Sequence, residues 1–133
     1  MILIYPAVFE PCQEVGYLVT VPDLPGCVTE GDTLAEAILM GQDAASGWVL
    51  GELEGGKSAP AATPIGQIQP AEGSFVSLLT LDMDAYAEKY GAKAVRKNVT
   101  VPAWLNTFGE NRQVNFSQML TDALFQLYQQ TNG

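Results

Sequence analysis

The pattern of hydrophobic and polar positions changes its period along this chain, and it predicts strands first. Residues 2–10 and 16–21 are rich in Ile, Val, Leu, Tyr and Phe, and turn-forming residues separate them. Aromatic and β-branched side chains favour strands, so these residues predict an antiparallel hairpin. Proline and glycine at 22–26 indicate a turn, after which a third short strand is expected over residues 27–30.

A long helix is predicted after this third strand. Thr33 and Glu36 form a capping box, in which the Thr33 hydroxyl accepts from the third helical amide and Glu36 reaches back to the cap amide. The helix should therefore begin at Leu34, and it should end near residues 51–55. The spacing of apolar and small residues defines the face predicted to contact the sheet, which comprises Leu34, Ile38, Gly41, Ala45 and Trp48.

The next segments complete an α+β domain with an antiparallel sheet packed against helices. Three prolines interrupt residues 56–73 and predict a loop. The apolar residues 74–81 predict a further strand, and residues 82–90 predict a short helix capped by Asp82 or Asp84. Gly91 and Ala92 make a hinge, so we place the first domain at residues 1–91.

The predicted second domain, residues 92–133, opens with a two-faced strand. Residues 95–101 alternate with period two, so valines lie on one face. Arg96, Asn98 and Thr100 lie on the other face. One face of this strand is therefore apolar, and the other can make polar contacts.

Two amphipathic helices are predicted to follow that strand. Pro102 suits the first turn of a helix that should end around Gly109. Asn115 can cap a second helix. This second helix has a broad apolar stripe made of Phe116, Met119, Leu120, Ala123, Leu124 and Leu127.

One strand and two helices form too small a core to be stable alone, so the second domain is expected to form a homodimer or a higher oligomer. The two paired strands would fit the DNA major groove, where Arg96 can donate to guanine and Asn98 can donate and accept at adenine. Lys97 and the first amides of the second helix can contact phosphates. The predicted DNA-binding residues are Arg96, Lys97, Asn98, Thr100, Asn115 and Ser117. The alternative is a helical hairpin that only dimerises.

Charge divides the chain near the same place. Residues 1–85 contain twelve acidic side chains and one basic side chain, a net charge of −11, whereas residues 86–133 contain five basic and three acidic side chains, a net charge of +2. The acidic part would repel nucleic acid and suits a basic protein partner, although solubility alone also explains it. No apolar run is long enough to span a bilayer, and no secretory signal opens the chain, so we expect a cytoplasmic protein without membrane contact.

Side chains for catalysis and cofactor binding are scarce in this sequence. It contains no histidine and no glycine-rich phosphate loop, and Cys12 and Cys27 are expected to be reduced thiols. We therefore expect no enzymatic activity, no catalytic residue, no metal and no cofactor. The alternative is a carboxylate metal site built from Asp23, Glu30, Asp32 and Glu36, although turn and capping roles explain most of these residues.

Two family resemblances bring these features together. The segments KNVTVPAWL, GENRQ and NFSQMLTDAL resemble the ribbon-helix-helix family over about residues 95–130. The segments PDLPGC, TEGDT and EA, followed by SFVSLLTLDMDAYAEKYG, resemble the HicB antitoxin family. Many members of that family carry a ribbon-helix-helix domain after the HicB domain, so the resemblance covers nearly the whole chain.

The HicB resemblance implies a degenerate RNase H-like N-terminal domain that binds a HicA-type toxin, a small basic ribonuclease that cleaves mRNA with a histidine. It also implies that the C-terminal domain binds operator double-stranded DNA and represses the shared operon. Pro22, Asp23, Pro25 and Gly26 are candidate toxin contacts, or they only shape their turn. Two other functions stay open: a metal-dependent RNase H-like nuclease that uses Asp23, and a regulator that binds a small ligand.

Overall fold

The chain forms two compact units, Met1–Ala92 and Lys93–Gly133. The computed structural model describes residues 1–92 and 94–132, so Lys93 and Gly133 of the predicted second domain lie outside the described residues. Four antiparallel strands and four α-helices occupy the described part of the chain and confirm the predicted α+β class. No helix within it is long and apolar enough to cross a membrane.

The N-terminal unit is built on a four-stranded antiparallel sheet. The strands lie in the spatial order β3-β2-β1-β4. Their bounds are Ile2–Pro11 for β1, Tyr17–Thr20 for β2, Val28–Gly31 for β3 and Phe75–Asp82 for β4. The predicted hairpin and both later strands are therefore confirmed, with shifts of one residue at their ends.

Pro6 occupies the central strand β1 although it has no amide hydrogen to donate. The amide of Met83 donates to the carbonyl oxygen of Met1 at 3.0 Å, and hydrogen-bonded pairs alternate along an antiparallel ladder. The backbone amides and carbonyls of the odd-numbered residues of β1 therefore point toward β4. The backbone nitrogen of Pro6 points toward the side on which β2 lies. Proline is tolerated because the pairing with β2 ends at Val8 and Thr20, before it reaches Pro6.

Two helices pack on one face of this sheet. Helix α1 (Leu34–Glu54) contacts β2, β3 and β4, and helix α2 (Met83–Tyr90) contacts α1 and β1. The largest side chains that are fully buried between these layers include Tyr5, Phe9, Val19, Val49, Leu79 and Leu81. Burying one such side chain stabilises the fold by about 1.5–3 kcal/mol, so this layer is the core of the unit.

The buried face of α1 is rotated from the predicted one. Gly41 and Ala45 are buried as predicted, whereas Leu34 is 40% exposed and Ala37 is fully buried in its place. A Cβ added to Gly31 of β3 would lie 2.4 Å from the amide nitrogen of Ala37. The first turn of α1 therefore lies so close to β3 that only a small side chain fits there.

Both N-terminal helices begin at predicted caps. The Thr33 hydroxyl accepts from the Glu36 amide at 3.1 Å, and the Asp82 carboxylate accepts from the Ala85 amide at 3.2 Å. The return bond of the capping box differs from the prediction, because the Glu36 carboxylate accepts from the Asp32 amide at 3.2 Å. The glutamate side chain reaches one residue beyond the cap, where it satisfies a turn amide.

The C-terminal unit contains helix α3 (Ala103–Asn111) and helix α4 (Phe116–Asn132). Helix α3 ends at Asn111, two residues after the predicted end around Gly109. A Cβ added to Gly109 would lie 2.6 Å from the ring of Phe116. This glycine therefore permits close packing between the two helices and does not end α3.

The strand predicted over residues 95–101 is not formed within the single chain. Residues 94–102 have no regular secondary structure. A strand requires a neighbouring strand to pair its backbone amides and carbonyls, and no second strand lies in the described residues of this unit. The alternation of side chains in the sequence therefore has no structural counterpart in an isolated copy.

Candidate functional site

A tight turn between β2 and β3 carries the candidate toxin contacts. The amide of Cys27 donates to the carbonyl oxygen of Leu24 at 2.9 Å, and Leu24 is fully buried beneath the turn. Gly26 has a φ of 81°, a left-handed conformation that glycine adopts without steric cost. The residues that this turn exposes are Pro22, Pro25 and Gly26.

The fourth candidate contact, Asp23, is half-buried and bonded within its own unit. One carboxylate oxygen accepts from the Thr63 amide at 2.8 Å, and the other accepts from the Thr63 hydroxyl at 2.6 Å. Both oxygens therefore hold the long loop over residues 56–74 against the turn. The structure gives Asp23 a long-range structural bond that its position in a turn motif did not indicate.

Two further hydrogen bonds fasten the same loop and turn. The Tyr5 hydroxyl donates to the carbonyl oxygen of Pro60 at 2.6 Å, and the Trp48 indole donates to the carbonyl oxygen of Pro25 at 3.0 Å. Tyr5 belongs to the sheet core, and Trp48 belongs to α1. The turn and the loop are thus both anchored to the rigid part of the unit.

The carboxylates considered as metal ligands do not converge. Among the described residues, no group of three His, Cys, Asp or Glu side chains could hold a metal ion. Asp23 is bonded to Thr63, and Glu36 is bonded to the amide of Asp32. Burial raises the pKa of the Cys27 thiol, so this group stays protonated near neutral pH. The described side chains thus offer no assembled centre for the nuclease alternative.

One face of the sheet, which we call the open face, is apolar and exposed to solvent. Side chains alternate along each strand, so the even-numbered residues of all four strands lie opposite the helices. The apolar side chains of the open face include Ile2, Ile4, Val8, Val28, Val76 and Leu78. Four of them are 47–57% exposed, namely Ile2, Ile4, Val28 and Leu78.

The sequence analysis did not identify the open face, although the sequence of β1 contains a pattern that could have indicated it. The segment ILIYPAVF is apolar at nearly every position, on both faces of the strand. Continuous apolar runs are typical of strands that are covered on both sides. The helices pack on only one side here, and the second side keeps exposed apolar side chains around Pro6, which is itself buried.

The candidate DNA-binding residues occupy two places in the C-terminal unit. Exposed positions in the segment 94–102 carry Arg96, Lys97, Asn98 and Thr100. Asn115 and Ser117 lie at the start of α4, where the Asn115 carboxamide oxygen accepts from the Gln118 amide at 3.0 Å. The predicted cap at Asn115 is therefore confirmed, and the side chain of Ser117 is exposed beside it.

Two relatives resemble the chain in sequence. An uncharacterized 14.9 kDa protein from the rep-hol intergenic region of Haemophilus phage HP1 (strain HP1c1) is 39% identical over 105 residues, which are 77% of this chain and 76% of that protein. Antitoxin HicB 1 of Photorhabdus laumondii subsp. laumondii is 40% identical over 63 residues, which are 47% of this chain and 41% of that protein.

Two solved structures resemble the fold over almost its full length. A chain of a toxin-antitoxin complex from Streptococcus pneumoniae has a TM-score of 0.62 and 26% identity, covering 95% of this chain and 99% of that chain. The antitoxin HicB of Burkholderia pseudomallei has a TM-score of 0.57 and 24% identity, covering 92% of this chain and 96% of that chain.

A family model described as HicB-like antitoxin of bacterial toxin-antitoxin system matches residues 5–122. The match spans both compact units and most of the chain. The four-stranded antiparallel sheet with its helices agrees with the similarity to solved HicB structures. The chain therefore belongs to the HicB-like antitoxin family of bacterial toxin-antitoxin systems.

Proposed function

We propose that this chain is the antitoxin of a HicAB-like pair. Residues 1–91, with a degenerate RNase H-like fold, bind and neutralise a HicA-type mRNA-cleaving toxin. Residues 92–133 form a ribbon-helix-helix domain that dimerises, binds operator DNA and represses the operon of the pair. Family membership supports the antitoxin role. The exposed apolar surface of the C-terminal unit is the observation that supports the dimer.

Charge supports the toxin-binding half of the proposal. Residues 1–92 contain thirteen acidic and two basic side chains, a net charge of −11. A ribonuclease needs a basic surface to bind the phosphate backbone of its substrate. An acidic partner docks on such a surface faster and in a defined orientation. An antitoxin with this charge can therefore cover the RNA-binding surface of a toxin.

The C-terminal unit exposes the side chains that would normally form a core. Trp104 is 71% exposed and Met119 is 61% exposed, and Gly109 is the one buried residue among those whose burial is described in this unit. Other apolar side chains that are at least 38% exposed are Val95, Val99, Val101, Leu105, Phe108, Phe116, Leu120, Leu124, Phe125 and Leu127. Apolar patches of this kind mark interaction surfaces, and a second copy offers a self-complementary one.

Pairing of residues 95–101 between two copies of the chain would account for the proposed DNA binding. It supplies a strand partner for this segment, which the described residues of the single chain do not provide, and it places two copies of Arg96, Asn98 and Thr100 on one ribbon. Such a ribbon can enter the major groove and read base edges. Lys97 and the first amides of α4, near Asn115 and Ser117, then contact phosphates.

Co-expression tests the toxin-binding half. The proposal requires a short, basic, histidine-containing protein encoded beside this chain, and that protein alone should arrest growth. Co-expression with the full-length antitoxin should restore growth, and the two proteins should co-purify. A toxin whose catalytic histidine is replaced by alanine provides the control for non-specific toxicity. Growth arrest that persists at equal expression of a folded antitoxin would contradict the proposal.

A further inference from the structure

The open face of the sheet has a contiguous apolar centre on its two longest strands. In the ladder between β1 and β4, Val8 pairs with Val76 and Ile4 pairs with Thr80. Leu78 lies between these pairs, opposite Pro6, whose own side chain is fully buried. Side chains on one face of such a ladder lie about 5 Å from their direct neighbours, so these residues form one surface. Ile4 is 49% exposed and Leu78 is 47% exposed. A continuous apolar surface of this kind on a folded unit marks an interaction site.

Carboxylates border this apolar centre at both ends. Glu10 and Glu30 flank Leu18 across three adjacent strands, because Glu10 pairs with Leu18 and Leu18 pairs with Glu30. At the other end, Asp82 pairs with Ile2. All three carboxylates are exposed. No lysine or arginine lies in the four strands, so the ionisable side chains of the strands carry a single sign of charge.

The charge on this border distinguishes between two occupants of the open face. A second copy of the chain would bring two acidic borders together, and like charges across an interface oppose association. A basic protein would instead place opposite charges around a shared apolar centre, which is the usual arrangement of an interface core and its polar rim. The surface therefore fits a basic partner better than a second copy.

We propose that the open face is the docking surface for the basic toxin. This inference rests on the function proposed above and adds the location of the contact. The toxin covers Ile4, Val8 and Leu78 with apolar side chains and surrounds them with basic side chains that face Glu10 and Glu30. The turn at residues 22–26 then acts mainly as part of the rigid frame, because Asp23 is bonded to Thr63.

Paired lysine substitutions on the two layers of the unit test this location. The test variant is Ile4→Lys with Leu78→Lys on the open face. The matched control is Leu39→Lys with Met40→Lys on α1, where the two side chains are 64% and 41% exposed. Both variants gain the same charge at exposed apolar positions. The probe is the co-encoded toxin with its catalytic histidine replaced by alanine, and binding is measured by calorimetry with the full-length antitoxin.

The open-face variant should raise the Kd for the toxin by about tenfold or more, as expected when central interface residues are replaced, and the α1 variant should change it by less than about threefold. Circular dichroism should show native secondary structure in both. If the open-face variant does not fold, Glu10→Lys with Glu30→Lys replaces it, with Asp43→Lys and Glu52→Lys as the control. These substitutions change charge without altering the apolar centre.

The outcomes separate this inference from the proposed function. Toxin that does not bind the wild-type antitoxin overturns the proposed function and the docking site together. Toxin that binds both variants equally well overturns the docking site alone. Loss of binding only in the α1 variant places the contact on the helical layer, which also overturns it. A changed sedimentation coefficient with unchanged toxin affinity identifies the open face as a contact between copies of the antitoxin.

Discussion

The carboxylate of Asp23 bonds twice to Thr63, which lies forty positions further along the chain. Asp23 belongs to the turn motif PDLPG, and Thr63 belongs to a loop that otherwise has little regular structure. The pair ties two irregular segments together without contribution from a helix or a strand. A conspicuous motif residue therefore has an internal partner, which gives the Asp23 carboxylate a structural role.

Replacement of Asp23 by alanine should destabilise the N-terminal unit. Two hydrogen bonds to a charged group are lost, so we expect the free energy of unfolding to fall by about 2–4 kcal/mol. Thr63→Ala removes only the hydroxyl bond and should cost about half as much. Trp48 fluorescence during urea denaturation, in a Trp104→Phe background, measures both effects. The double variant should be no less stable than Asp23→Ala, and additive losses would show that the two residues do not act as a pair.

Gly41 and Gly51 in α1 should respond in opposite directions to the same substitution. A Cβ at Gly41 would lie 3.2 Å from side-chain atoms of both Leu79 and Val19, whereas nothing lies within 4 Å of one at Gly51. Gly51→Ala should raise the free energy of unfolding by about 0.5–1 kcal/mol through helix propensity. Gly41→Ala should lower it by about 1 kcal/mol, because overpacking outweighs that gain. Thermal denaturation compares the two, and a stabilised Gly41→Ala variant would contradict the close contact.

Charged substitutions on the apolar stripe of α4 should prevent dimerisation. Leu120→Glu with Leu124→Glu places four carboxylates in the proposed dimer core, where unpaired charges are strongly unfavourable. Sedimentation equilibrium should show a shift from dimer toward monomer, with loss of helical signal from the C-terminal unit. Thr121→Glu with Gln129→Glu, on the opposite side of the same helix, is the matched control. Equal dissociation by both variants would argue against the stripe as the interface.

Operator binding should depend on two residues that toxin binding does not need. Arg96→Ala with Asn98→Ala removes base contacts worth about 1–3 kcal/mol each, so specific binding should fall by at least about a hundredfold. Lys97→Ala should weaken operator and scrambled DNA alike and reduce the salt dependence of binding. Fluorescence anisotropy on both DNA fragments measures these changes. Loss of toxin neutralisation in the still-dimeric double variant would contradict the division of labour between the units.

The two cysteines should differ in reactivity. Cys12 is exposed and Cys27 is buried, and burial raises the pKa of the Cys27 thiol above its ordinary value of 9.0. A thiol reagent at pH 8 should therefore modify a Cys27→Ser variant quickly and a Cys12→Ser variant only as it unfolds. The raised pKa also means that the stabilising effect of the neutral thiol is complete below pH 9 and is lost as pH rises through the folded-state value. Rapid modification of the Cys12→Ser variant would show that the turn opens readily.

Local signals predicted most elements of this protein correctly. Thr33 and Asp82 cap their helices as expected, because a cap is a bond between residues three positions apart. The hairpin and the later strands follow from runs of apolar and β-branched residues. Gly109 was misjudged because a glycine that ends a helix and a glycine that packs against a ring look the same in sequence. The segment at 95–101 has the alternation of a strand, but it has no regular secondary structure in the single chain.

The sequence by itself determined the α+β class, the caps, the division of charge and the family, because these depend on residue type and near neighbours. Only the tertiary structure decided that Asp23 bonds Thr63, that Ala37 replaces Leu34 on the buried face, and that one side of the sheet stays open. Each of these depends on how segments far apart in the chain approach one another. Contacts of this kind arise from the packing of the whole unit, which no local sequence pattern specifies.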